Sequence, residues 1–72
     1  KIDAEGAELH ILQGGEQTLR RARPKVLLEH HYHIDPDCRA KCTAFLESLG
    51  LGYKSRGCRP HGAIAHEFFT CE

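Results

Sequence analysis

The sequence predicts an α/β domain in which parallel strands are joined by helical crossovers and an antiparallel hairpin closes the chain. The first observation is the uninterrupted apolar run at residues 26–28, which is typical of a parallel strand covered on both faces. The second is the order of helix and strand breakers, since Gly6 follows one short apolar segment and Pro24 precedes the next. The third is the spacing of the last two apolar segments, which are about six residues apart, too close for a parallel crossover.

The first half of the chain is predicted to form a strand, an acidic turn, a helix and a second strand. A short apolar start ends in acidic residues at positions 3–5, and apolar positions at helical spacing run from residue 7 to about residue 22. The glycine pair at positions 14–15 is expected to kink this helix or to split it. Pro24 disfavours helical geometry in the residue before it, so the helix ends there and a strand follows over residues 25–30.

The second half is predicted to form one helix and the hairpin. Asp35 is a suitable helix cap, and Pro36 suits the first helical position. The helix carries a continuous apolar stripe and ends at Gly50. The members of the stripe are Cys38, Cys42, Phe45, Leu46 and Leu49. Strands at residues 51–56 and 63–70, joined by a loop, should pair antiparallel.

Composition disfavours several classes of protein. A chain of 72 residues fits at most one small domain, whose core is marginal alone because only roughly 60% of its unfolded surface is buried. Ten Lys plus Arg balance ten Asp plus Glu, which argues against nucleic-acid and anionic-membrane partners. No apolar run approaches the roughly 20 residues that span a bilayer. Four cysteines without a Cys-x-x-Cys pair indicate reduced thiols in a cytoplasmic protein, with Cys38 and Cys42 as small core side chains.

Three segments of the chain carry a family resemblance, and they arrive together and in order. They are Lys-Ile-Asp-Ala-Glu-Gly-Ala-Glu-Leu at residues 1–9, Leu-Gln-Gly at 12–14 and Arg-Pro-Lys-Val-Leu-Leu-Glu at 23–29. This pattern resembles the FkbM-type methyltransferases, which depend on S-adenosylmethionine. The resemblance implies the second half of a Rossmann-like class I methyltransferase sheet, whose final strand inserts antiparallel beside its neighbours. It also implies O-methylation of a hydroxyl on a small molecule or glycan.

The same resemblance implies that residues 1–72 are the carboxyl-terminal half of a methyltransferase domain. The glycine-rich cofactor loop and the acidic ribose-binding residue of that fold belong to its first half, and this sequence contains neither. The residues that bind S-adenosylmethionine are therefore expected upstream, in a missing N-terminal half that would be the partner of this chain. We expect the chain alone to be inactive and to bind no S-adenosylmethionine detectably.

Carboxylates cluster after the first predicted strand. Asp3 and Glu5 lie two residues apart, so in extended geometry they point to the same side, and Glu8 follows on the first helical turn. Such a cluster can orient a substrate hydroxyl and remove its proton. The resemblance implies that Asp3 and Glu5 match the acidic pair of the active-site wall and that Gly6 lets the chain pass close to substrate or cofactor. Glu8 is a candidate substrate-binding residue from its position beside them. The alternative is that Glu5 and Glu8 only favour a helix amino terminus.

A second polar group follows the strand at residues 25–30. Glu29, His30, His31 and His33 are expected to face the same crevice as the acidic pair, because open α/β sheets bind ligands at the carboxyl ends of their strands. Strand alternation places Glu29 and His31 on one side and His30 on the other. His30 and His31 are the candidate proton acceptors near neutral pH, and Glu29 and His33 are candidate substrate-binding residues.

The same residues allow two other hypotheses. One is a site for zinc, iron or manganese, which is not favoured because the spacing matches no compact metal motif. Its ligands would be drawn from Asp3, Glu5, Glu29, His30, His31 and His33. The other is a noncatalytic interaction module whose histidine-rich loop and strand edge bind another protein. The sequence assigns no chemistry to Cys58, His61, His66 and Cys71.

Overall fold

The computed structural model describes residues 1–2 and 5–71. Within these residues the chain forms three helices and a three-stranded sheet. In chain order the elements are α1 (Glu8–Gly14), α2 (Glu16–Ala22), β1 (Val26–His31), α3 (Cys38–Ser48), β2 (Lys54–His61) and β3 (Ile64–Thr70). The strand order is β1-β3-β2, so the last strand lies in the middle and pairs antiparallel with both neighbours.

The prediction of a parallel, Rossmann-like sheet is wrong for the part of the chain that the structure describes. Both pairings in the sheet are antiparallel, and the parallel contact found there is an isolated bridge between Ile2 and Leu28. In that bridge the Ile2 amide donates to the Leu27 carbonyl at 2.7 Å, and the Glu29 amide donates to the Ile2 carbonyl at 2.9 Å. The apolar run at residues 26–28 indicates that β1 is buried, but burial does not determine the direction of the neighbouring strand.

The antiparallel hairpin is confirmed, although its loop was predicted in the wrong place. β2 continues through residues 57–61, and the turn is reduced to Gly62 and Ala63. Gly62 has a φ of +60°, a left-handed conformation that a tight turn needs and that glycine adopts without strain. Gly57 and Pro60 suggested a loop, but β2 is an edge strand, where such residues are tolerated because one side of the backbone makes no ladder.

The helices agree with the predicted breaks in the chain. The first predicted helix is divided at Gly15, whose amide donates to the carbonyls of Ile11 and Leu12 and so ends α1. α3 begins at Cys38 with Asp37 as its cap, two residues later than the predicted start at Pro36 and cap at Asp35. The Asp35 carboxylate instead accepts hydrogen bonds from the Asp37 amide at 3.0 Å and from Lys41 Nζ at 2.9 Å, which orders the turn before the helix.

The core lies between the helices and one face of the sheet. Its buried members come from every element except β2, together with Leu49 and Tyr53 beyond α3. They are Leu12, Leu19, Val26, Leu28, Cys42, Leu46, Leu49, Tyr53 and Phe69. The apolar stripe of α3 is thereby confirmed, and burial raises the pKa of the Cys42 thiol to about 12. Cys42 therefore behaves as a small hydrophobic side chain at neutral pH.

Candidate active site

Polar side chains collect at the carboxyl end of β1, where this strand passes into the turn at residues 32–34. Glu29, His30 and His31 alternate in direction along the strand, as the sequence predicts. His30 contacts Glu67 of β3, whereas Glu29 and His31 contact each other. Both histidines are buried, with 0% and 5% of their surfaces exposed. The strand therefore presents two separate polar clusters, one on each side.

The first cluster joins Glu8, His31, Glu29 and His66, and we call it the carboxylate–imidazole chain. His31 Nδ1 lies 3.3 Å from Glu8 Oε2, and His31 Nε2 lies 3.2 Å from Glu29 Oε2. The other oxygen of Glu29, Oε1, lies 2.6 Å from His66 Nε2. Side-chain exposure rises along the series from 1% at Glu8 through 7% and 13% to 35% at His66. The carboxylate–imidazole chain thus runs from the interior to the protein surface.

The position of His31 between two carboxylates has a direct chemical consequence. A neutral imidazole carries one N–H, so it can donate a hydrogen bond to one carboxylate only. Glu8 and Glu29 lie within ion-pair distance of the two ring nitrogens, although the approach of Glu8 to Nδ1 lacks hydrogen-bond geometry. A carboxylate beside an imidazole is the pairing that orients the histidine of a catalytic triad. The carboxylate–imidazole chain is therefore a candidate acid–base site.

Glu8 is held in this position by Gly6. The Gly6 amide lies 3.3 and 3.2 Å from the two oxygens of the Glu8 carboxylate and donates to it. Gly6 has a φ of +101°, and a Cβ added there would lie 2.6 Å from Cγ2 of Ile34. A glycine is therefore needed for the opening segment to lie against the turn that follows β1. Within the described residues, the group that lies close to Gly6 is therefore Ile34, in this turn of the same chain.

The opening acidic residues have different surroundings. Asp3 lies outside the described residues, so the predicted pairing of Asp3 with Glu5 is not described by the structure. Glu5 is exposed and has a φ of 48°. Among the described residues of this segment, the carboxylate that reaches the histidines is that of Glu8, which is 1% exposed. Besides lying in the first turn of α1, Glu8 contributes to the carboxylate–imidazole chain.

The second cluster surrounds Glu67, on the side of β1 to which His30 points. Glu67 Oε1 lies 2.9 Å from His30 Nε2 and accepts from Arg39 Nε at 3.1 Å. Glu67 Oε2 accepts from Arg39 Nη2 at 3.0 Å and from the Ser55 hydroxyl at 2.6 Å. Burial acts to raise the pKa of Glu67, but the hydrogen bonds from Arg39, Ser55 and His30 outweigh it and hold that pKa below its usual value. The carboxylate is therefore ionised at neutral pH.

The Glu67 cluster forms part of the wall of an open groove. The groove has a volume of about 590 Å³ and lies between α3 and the sheet. It is lined by Tyr32, Pro36, Asp37, Arg39, Ala40, Thr43, Ala44, Glu47, Ser55 and Glu67. His30, which is 0% exposed, is not part of that lining and lies apart from His31. Arg39, Glu67 and His30 therefore tie α3 to β1 and β3, and this cluster stabilises the fold.

Sequence reasoning missed four members of these clusters, Arg39, Ser55, His66 and Glu67. The signal for Glu67 was strand alternation, since residues 65, 67 and 69 share one face and its neighbours Ala65 and Phe69 are buried. The signal for His66 lies in the strand register, which pairs it with Glu29. That register depends on the last strand lying against β1, and the sequence gives no direct indication of the residue at which the pairing begins.

The remaining predicted residues are placed as follows. His33 is exposed, and the centroid of its ring lies 5.7 Å from that of His31 in an edge-on contact. Among residues 1–2 and 5–71 there is no group of three or more His, Cys, Asp or Glu side chains arranged to hold a metal ion. No helix within those residues is long and apolar enough to cross a membrane.

These features define the described residues as three helices packed against an antiparallel sheet, with buried carboxylates and imidazoles grouped at the end of β1. The family follows from comparison with known proteins. The sequence profile of the methyltransferase FkbM domain matches residues 1–60, and the chain therefore belongs to the FkbM methyltransferase domain family. The match includes Glu8, Glu29 and His31 and ends before β3. No curated protein and no solved structure matches the chain.

Proposed function

We propose that this chain is the acceptor-side half of an S-adenosylmethionine-dependent O-methyltransferase that acts on a hydroxyl of a small molecule or glycan. Its membership of the FkbM family supports methyl transfer as the reaction. The observation that carries the acid–base assignment is the buried His31 ring, with a carboxylate oxygen 3.3 Å from one nitrogen and another 3.2 Å from the other. A transferase acting on a hydroxyl needs a group that takes up the hydroxyl proton, and this arrangement suits that role.

In the proposed reaction a bond forms between the acceptor oxygen and the methyl carbon while the bond from that carbon to sulfur breaks. S-adenosylmethionine supplies the methyl group as a sulfonium electrophile. His31 takes the proton that leaves the acceptor oxygen at Nδ1, where the acceptor hydroxyl replaces the 3.3 Å contact to Glu8, and the Glu29 carboxylate at Nε2 stabilises the resulting imidazolium. His30 is left out of this proposal because it is buried against Glu67 on the other side of β1.

The residues of this chain suit the acceptor better than the cofactor. The sequence contains neither the glycine-rich cofactor loop that follows a strand in this fold nor the acidic residue that would bind the ribose. We therefore propose that an N-terminal half supplies the cofactor site and is the structural partner of this chain. Calorimetry of the 72-residue chain with S-adenosylmethionine tests this division. The proposal expects no detectable binding, and a micromolar dissociation constant would contradict it.

The test of the reaction uses the complete methyltransferase, with this chain joined to its cofactor-binding half. Radiolabelled S-adenosylmethionine is offered with a panel of hydroxylated sugars and polyketides, and label in the extracted product is measured. His31→Asn is expected to lower kcat by about 100-fold or more, and kcat is measured at a temperature at which the variant is folded, because removing a buried partner of Glu8 and Glu29 also lowers the Tm. His10→Asn is the matched control, because His10 is exposed on α1. Equal activity of the two variants would remove His31 from the mechanism.

We also propose a cytoplasmic location. All four cysteines of the chain lie within the described residues, and they are free thiols. Reduced cysteines are usual in the cytosol, where disulfides are rare. The balance of charges supports a small-molecule or glycan acceptor over nucleic acid or an anionic membrane as the partner.

A further inference from the structure

The last strand brings a second histidine to the carboxylate–imidazole chain. In the register of β1 and β3, His66 lies directly opposite Glu29. Residues opposite each other in an antiparallel pair project to the same face of the sheet, and here His66 Nε2 lies 2.6 Å from Glu29 Oε1. This is the shortest of the contacts given for the carboxylate–imidazole chain. β3 lies beyond the residues matched by the family profile, so the family match says nothing about His66.

Glu29 uses its two oxygens for two different rings. Oε1 contacts His66 and Oε2 contacts His31. A carboxylate is planar, so a hydrogen bond that fixes one oxygen also fixes the plane and the direction of the other. The contact to His66 is the shorter of the two imidazole contacts of Glu29, and its loss would weaken the direction of Oε2 toward His31. The geometry of the base is therefore set in part by a residue that does not touch it.

We infer that His66 is a positioning residue of the acid–base centre, acting through the Glu29 carboxylate to hold His31 in the orientation that accepts the proton. This inference rests on the proposed function. The group that acts is the N–H at Nε2, which donates to Glu29 Oε1 when the ring carries its proton there. A side chain that keeps an N–H at this place keeps the function, and one that lacks it loses the function. The charge of the imidazole is not required.

The experiment replaces His66 in the complete methyltransferase with side chains that keep or remove this donor. The amide nitrogen of glutamine reaches about as far as Nε2, so His66→Gln keeps a donor toward Glu29. His66→Phe fills a similar volume without one, and His66→Ala takes its place if the phenylalanine variant does not fold. His61→Ala is the matched control, because His61 is exposed and its ring centroid lies 6.0 Å from that of His66. Tm is measured for every variant.

Two readouts are expected to move together. His66→Phe should lower kcat by at least about tenfold with KM unchanged, because a misdirected base slows the chemical step without weakening acceptor binding. His66→Gln should restore most of kcat. The ring nitrogen resonances of His31, followed by NMR, should shift in the phenylalanine variant and return in the glutamine variant, with no change in His61→Ala.

The outcomes separate this inference from the function on which it rests. If His31→Asn abolishes methyl transfer but His66→Phe leaves kcat and the His31 resonances unchanged, His66 has no positioning role and the inference is overturned. If no hydroxyl acceptor is methylated, the proposed function fails, and the NMR comparison still decides whether His66 orders His31 through Glu29. A loss of activity in His66→Phe that glutamine does not restore also contradicts the inference.

Discussion

Replacing Glu67 with glutamine should destabilise the protein by about 2 kcal/mol at neutral pH. The variant keeps the shape of the side chain and removes its charge. The Arg39 pair contributes little of this loss, because the Arg39 side chain is 49% exposed and water can solvate the guanidinium. The larger part comes from the Ser55 hydroxyl at 2.6 Å and His30 at 2.9 Å, both of which meet a carboxylate that is 1% exposed. The amide has one oxygen, so it can replace one of these acceptors and not both.

The effect should depend on pH in a defined direction. The pKa of Glu67 is lower in the folded protein than its ordinary value of 4.5, so the folded state binds this proton more weakly than the unfolded state. The stabilisation is therefore fully present above pH 4.5 and is lost as the pH falls through the folded pKa. The free-energy difference between the parent and Glu67→Gln should shrink over the same range, because the parent carboxyl group becomes neutral.

Urea unfolding followed by circular dichroism measures this difference at pH 7 and at steps down to pH 3. For a domain of this size a loss of about 2 kcal/mol corresponds to a fall in Tm of about 10 °C. Glu47→Gln is the matched control, because Glu47 is exposed on α3 and lines the same groove, and its effect should stay within about 0.5 kcal/mol. A Glu67→Gln variant as stable as the parent at pH 7, or a difference that stays constant to pH 3, would refute the reasoning.

Three further substitutions test other parts of the structure. Gly6→Ala should lower the free energy of unfolding in urea by about 1 to 2 kcal/mol, because Gly6 has a φ of +101° and an added Cβ would lie 2.6 Å from Ile34. Equal stability would contradict this geometry. Tyr53→Phe should cost about 1 kcal/mol, because it removes the hydrogen bond that the Tyr53 hydroxyl donates to the Pro24 carbonyl at 2.6 Å; an unchanged Tm would show that this bond contributes nothing. Cys42 should resist iodoacetamide in the folded protein and react only on unfolding, because burial raises its pKa to about 12. Modification of the native protein, detected by mass spectrometry, would contradict the assignment of Cys42 to the core.

Local features of the fold could be predicted because each depends on neighbouring residues. The split of the first helix at Gly15 and the apolar stripe from Cys38 to Leu49 follow from helical geometry alone. The division of Glu29 and His31 from His30 follows from the two-residue period of a strand. The hairpin followed from the shortness of its connection.

The features that sequence reasoning missed depend on contacts between distant residues. The strand that pairs with β1 is β3, which follows β1 in the sequence only after α3 and β2. The apolar run at residues 26–28 therefore could not reveal that this pairing is antiparallel. Glycine and proline in residues 57–61 indicated a loop, whereas the edge position of β2 makes them compatible with a strand. His66 and Glu67 acquire their roles from the register of β3, and one residue of slip would exchange the faces on which they lie.

The outer strand of the sheet has properties that bear on self-association. β2 is exposed along almost its whole length, is interrupted by a bulge between Ser55 and Gly57, and includes Pro60, which has no amide hydrogen to offer. Its basic side chains, Lys54, Arg56 and Arg59, would repel the same strand of a second copy. A flat, uncharged edge strand can accept a strand of another molecule and so begin a fibril, but β2 is neither flat nor uncharged. The hairpin can therefore end in water without becoming a template for aggregation.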